Sequence, residues 1–198
     1  MMTQTHLLVA AAVLAKPGKP LRNAAALAGS FMPDLAIFWL LGWSKIAGIP
    51  EMKVWREIYW QEPWHTRVAM GNSIPLYVFL FALGWILIRN VPKREAFGGF
   101  LTIFALGALL HLAGDLPVHV QDAHAHFWPI SDWRFVSPVS YWNPAHYGDV
   151  FQIFEAILAL GLIVILATRF KDLWARILLG LAAALYVGVP AYFYLTLG

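Results

Sequence analysis

Residues 111–119 read HLAGDLPVH. His111 and Asp115 are four apart, so on a helix they lie one turn apart on one face. An imidazole nitrogen and a carboxylate oxygen presented that way can hold one cation between them. His119 continues the face only if the helix runs past Pro117, and a proline there favours a turn; His119 is therefore expected to come from that turn. The next stretch, HVQDAHAHFWP at 119–129, adds Asp122, His124 and His126. Five of the seven histidines (111, 119, 124, 126 and 146) fall in this region. The chain has no cysteine, which excludes disulfides and thiolate metal sites. A His/Asp donor set suits a divalent ion such as Zn²⁺ or Mn²⁺, and Fe²⁺ would also fit.

These residues sit in a strongly apolar chain. Of its 198 residues 60% are hydrophobic and 13% charged, about half the charge of a soluble domain, and the mean hydropathy is +0.64. The expected fold is all-α: a single polytopic membrane helix bundle over 1–198, with about five spanning helices, a short N-terminal helix and two long outer loops. The apolar runs are 5–15, 21–43, 72–88, 96–114, 149–168 and 173–196. The first is too short to span and is expected to be half embedded against other helices. Its charges follow the apolar stretch, so it is read as retained rather than as an export signal.

The connectors alternate. KPGKPLR, RNVPKRE and RFKDLWAR are short and basic, and by the positive-inside rule they face the cytoplasm. Residues 44–71 and 115–148 are long, aromatic and rich in acids and histidine, and they fall on the other side. Lys45, Lys53, Arg56 and Arg67 in the first long loop run against the rule. Most tryptophans (39, 43, 55, 60, 64, 128, 133 and 142) lie at this outer end, where indoles favour the membrane interface. EMKVWREIYWQEPW at 51–64 reads as an interfacial helix ending near Pro63. The basic residues follow this orientation pattern and do not form a nucleic-acid surface.

Ionisable groups inside apolar runs are costly and therefore informative. They are His6, Asp34, His111, Asp115 and Glu155. At ~1.5 Å per residue from the nearest inner-side charge, they sit about 15, 18, 24, 30 and 21 Å deep, respectively. All five thus share the mid to outer level. Each also has a plainer reading. His111 and Asp115 can be a hydrogen-bonded pin. Asp34 can pair with an arginine or the backbone, with MPD (32–34) a kink that frees a carbonyl. Glu155 can be a supporting or packing-satisfied carboxylate. His65 and His124 read as solvated loop residues, and Arg134 can be an interfacial anchor.

THLLVAAAVL, GSFMPDLAIF, GALLHLAGDLPVH and FWPISDWRFVSP, in this order, resemble the inner-membrane metal-dependent hydrolases of the YdjM-like, LexA-regulated type. AKPGKP and HFWPISDWRFVSPVSYWNPAHYG are similar to a short bacterial subgroup of that family. The resemblance implies His6, Asp34, His111 and Asp115 as core metal ligands. The subgroup adds His119, Asp122, His126 and His146. The family usually carries a His-Arg-Gly-x-Thr-His-Ser stretch where this chain has RVAMGNS, with Arg67 and Asn72 in the histidine positions. Ala36 stands where a second aspartate is common.

The expected function is a membrane-bound hydrolase holding one or two divalent ions in the bacterial inner membrane, its site on the periplasmic side. It would cut a membrane lipid or a lipid-linked ester through metal-activated water. The metal set is His6, Asp34, His111, Asp115, His119 and His126. Asp122 or Glu155 would take the proton, and Arg134 would hold a phosphate or oxyanion. One alternative is a non-catalytic metal-binding or structural subunit docked to other membrane proteins. Another is an ion or proton carrier, against which no ionisable group continues inward from the site. Nucleic acid is not an expected partner.

Overall fold

The computed structural model describes residues 1–188 and the helical course of 189–197. The helices are α1 (Thr3–Leu14), α2 (Pro20–Phe31), α3 (Leu35–Ile46), α4 (Glu51–Arg56), α5 (Trp64–Gly71), α6 (Ile74–Asn90), α7 (Glu95–Asp115), α8 (Gly148–Arg169) and α9 (Leu173–Leu197). Among the described residues there is no strand. Every apolar run of the sequence is helical. In the last run, 173–196, the side chains beyond residue 188 lie outside the described residues.

Among the described residues three stretches are long and apolar enough to cross a bilayer: Pro20–Ile46, Pro92–Val118 and Gly148–Arg169. α5 and α6, bent by 46°, make a fourth if taken together. α8 turns Ile153, Phe154, Ile157 and Val164 outward, as a helix in a lipid solvent does.

Two segments depart from the expected continuity. The 21–43 run is two helices, because a 3₁₀ turn at Met32–Asp34 interrupts it. Pro33 has no N–H to give the preceding turn, so that turn cannot close as α-helix. The expected single helix over 51–64 is also divided, into α4 and a 3₁₀ turn at Ile58–Trp60. Pro63 then caps the start of α5, a position that tolerates its missing donor.

α7 is the axis of the molecule, with α6, α2 and α1 packed on it. Gly29 allows the close approach of α2: a Cβ there would meet the Phe104 carbonyl oxygen at 1.9 Å. Small residues at such crossings let helix backbones touch where lipid gives no hydrophobic drive. α1, about 18 Å long, does not span. It is set against α2, α7 and α8 with Thr5, His6 and Ala10 buried. Glu155 on α8 accepts the Met2 N–H at 2.7 Å, placing a carboxylate where helix donors lack partners.

The long segment after α7 has little regular structure but is pinned at several points. The Ser137 N–H bonds the His119 carbonyl at 2.9 Å and the Tyr141 N–H bonds that of Val118 at 3.0 Å. The Ile74 N–H, at the start of α6, bonds the His126 carbonyl at 2.8 Å. A loop tied this way can hold side chains in fixed positions.

Candidate metal centre

The break between α2 and α3 prepares the first half of the site. His111 Nδ1 donates to the Ser30 carbonyl at 2.6 Å. That bond puts the proton of a neutral ring on Nδ1 and leaves the lone pair on Nε2. Nε2 lies 2.9 Å from Asp115 Oδ2 and 3.6 Å from Asp34 Oδ1, yet it has no aligned hydrogen bond. A lone pair facing carboxylate oxygens is repulsive unless a second proton or a cation lies between them.

His6 reaches the same point from α1. Its ring stacks on that of His111, with centroids 3.6 Å apart and planes 13° apart. Its Nε2 lies 2.8 Å from Asp115 Oδ1, and its Nδ1 is buried without a partner among the described residues. Gly114 makes room for it, since a Cβ there would lie 3.1 Å from His6 Cε1. The Met1 amine also lies 2.5 Å from Asp115 Oδ1, and the Thr3 hydroxyl donates to Asp34 Oδ2. His6, His111 and Asp115 offer three donor atoms within 4.8 Å of one another.

A second group meets Asp115 from the loop. His119 Nε2 lies 3.4 Å from Asp115 Oδ1 and its Nδ1 lies 3.1 Å from Asp122 Oδ2. The contacts are close but poorly directed, so neither ring nitrogen has an aligned hydrogen bond. Asp122 Oδ2 in turn accepts from Trp142 Nε1 at 3.1 Å. Burial lowers the His119 pKa, but the flanking carboxylates outweigh it and raise the ring to about 9. Burial raises the Asp122 carboxyl, and the closeness of the His119 ring brings it below its usual range. His124 completes this group: Asp115, His119 and His124 offer donors within 4.8 Å of one another. Burial pushes His124 down to about 3, so the ring is neutral at neutral pH and keeps a lone pair on one nitrogen.

His124 is the residue that sequence reasoning missed. It read as a solvated loop histidine and is 7% exposed. Only its place in a histidine-dense stretch signals it. His126 stands further out. Its Nδ1 donates to the Asn72 carbonyl at 3.1 Å, and its ring centroid is 5.9 Å from that of His124. Glu155 is 1% exposed and bonded to Met2, with Oε2 unpartnered among the described residues. Arg134 lines a small neighbouring pocket with His65 and His124. It contacts His65 Nε2 at 2.5 Å and donates to the Ala123 carbonyl at 3.4 Å. His146 lies in neither donor group and contributes its carbonyl to Ser140 N–H.

Beside the donors is a cavity of about 730 Å³, within the size range of small-molecule sites. Asp34, Asp115, His119, Asp122 and His124 form its polar end. Ile37, Phe38 and Leu41 of α3 and Met52, Trp55 and Trp60 form apolar walls. The unpartnered buried nitrogens and the imidazole/carboxylate donor set fit a borderline divalent cation. The sequence matches the YdjM inner membrane protein family over residues 1–195. No curated protein and no solved structure matches it.

Proposed function

The chain belongs to the YdjM inner membrane protein family, and from that premise we propose that it is a metal-dependent hydrolase cutting a lipid or a lipid-linked ester. The observation that carries this reading is the convergence of buried imidazoles and carboxylates on Asp115, beside a largely apolar cavity. A tail-bearing substrate would lay its apolar part along Ile37, Phe38, Leu41 and Met52 and bring its ester to the carboxylate end.

His6, Asp34, His111, Asp115 and His119 would hold the ion or ions, with His126 beside them keeping Nε2 as its basic nitrogen. A divalent cation bound there supplies Lewis acidity and makes water nucleophilic near neutral pH. Asp122 or Glu155 would take the proton of the attacking water. Its oxygen bonds to the carbonyl carbon or phosphorus, the ester bond to the leaving oxygen breaks, and that oxygen collects the proton. Arg134, one wall away, would steady the developing anion. The basic short connectors and the outer tryptophans support five spans, with α9 the fifth, and a site facing the periplasm.

A second reading is a metal-binding subunit without catalysis. It is favoured by the use made of two positions where the family carries histidine. Arg67 stacks over Trp64 at 4.6 Å, and the Asn72 side-chain amide donates to the Val68 carbonyl at 3.0 Å.

The test is turnover by the detergent-purified chain loaded with Zn²⁺ or Mn²⁺, on phospholipids and lysolipids in mixed micelles. Metal-dependent release of fatty acid, phosphate or headgroup, lost in His111→Ala, is expected. A fully loaded protein that turns over no lipid ester would overturn the hydrolase reading and leave the subunit.

A further inference from the structure

We infer that two cation positions share Asp115 and divide the work: an enclosed one at His6 and His111 that holds helices together, and one at His119 and His124 that opens on the cavity and meets the substrate. The inference rests on the metal dependence proposed above and assigns a role to each half of the donor set.

The donors form two triads with only Asp115 in common. At metal–ligand bonds of ~2.0–2.2 Å, one ion cannot reach donors much more than about 4.4 Å apart. Asp115 is suited to serve both: its Oδ2 faces His111, while its Oδ1 faces His6 and His119. Each triad separately contains buried nitrogens with no aligned hydrogen bond. These are His6 Nδ1 and His111 Nε2 in one, and His119 Nε2 in the other.

Their surroundings differ as closed and open metal sites do. His6 and His111 are each 1% exposed and neither borders the cavity, whereas His119 and His124 both line it. The inner triad joins α1 to α7, and its His111 is aimed by the Ser30 carbonyl. The outer triad comes from the end of α7 and the loop. There Asp122, steadied by Trp142, backs His119 in the carboxylate–histidine arrangement that orients metal ligands. An ion held by three protein donors at a cavity wall keeps a position free for substrate or water. The inner position, whose histidines do not border the cavity, has no such opening.

The test counts metal. The full chain, stripped with chelator in detergent, is titrated with Zn²⁺, freed of excess by gel filtration, and analysed for bound zinc and for thermal unfolding. Two equivalents are expected for the parent chain. His124→Gln and His119→Gln are each expected to retain one, and with it most of the thermal shift that zinc gives the parent. His111→Gln is expected to lose the inner equivalent and that shift. If His111→Gln fails to fold, the counts for His119→Gln and His124→Gln decide. A parent chain that saturates at one equivalent, or a His124→Gln variant that keeps two, overturns this inference and leaves metal-dependent hydrolysis standing. A chain that takes up no zinc brings both down.

Discussion

His119 stands between two carboxylates and has to give up a proton to hold a cation. In the metal-free chain, with its pKa raised to about 9, the protonated ring contributes stability fully below the ordinary value near 6.5. That contribution is lost as pH rises through about 9. Metal competes with that proton, so zinc affinity at this position should rise about tenfold per pH unit up to pH 9. Calorimetry in buffers of different ionisation heat should find about one proton released there, and a pH-independent affinity between 6 and 9 would contradict this. Asp122→Asn removes the carboxylate behind the ring and should weaken zinc about 10–100-fold with the helical fold retained, as read by competition with a chromophoric chelator. The His111/Asp115 pair was legible in the sequence because helical periodicity fixes how residues four apart are related. His124 was not, because spacing along a loop fixes no geometry. Its place depends on bonds made far away, such as the one from His126 to Asn72.

At the scale of elements, the kink in the second apolar run and the tight crossing of α2 on α7 position the chemistry. Pro33 breaks the helix beside Ser30, and Gly29 lets Ser30 come close enough to accept from His111. Gly29→Val should force the two helices apart, at a cost of about 1–3 kcal/mol, and should also weaken zinc binding although residue 29 touches no ligand. Thermal unfolding in detergent and a zinc titration of the same sample check both, and a lowered unfolding temperature with unchanged affinity would separate packing from the site. The helices themselves were readable from apolar runs, as was a kink at MPD. The division of residues 51–71 into α4, a turn and α5 was not, since the aromatic and charged pattern there runs unbroken through the joints.

For the whole molecule, the central question is orientation. The short connectors carry nine of the fourteen lysines and arginines, so the candidate metal-binding end should face away from the cytoplasm. The chain has no cysteine, which makes single-cysteine labelling clean. Ser131→Cys, in the long loop, should react with a membrane-impermeant maleimide on intact spheroplasts, and Lys93→Cys, between α6 and α7, should react only after permeabilisation. The reverse pattern would put the site on the cytoplasmic side. Composition made the all-helical, membrane-spanning architecture legible, because a bilayer constrains the length of each span more tightly than water constrains a soluble helix. The cavity was not legible, since it depends on how far α3 and the segment after it stand off from the loop.

The most direct test of the metal centre is X-ray absorption at the zinc edge of the zinc-loaded chain. It should report nitrogen and oxygen ligands at ~2.0–2.2 Å with no sulfur, show the multiple scattering of imidazole, and lose that imidazole signal in part in His111→Gln. A spectrum of hydrated zinc without imidazole, the same in the parent and the variant, would contradict the account.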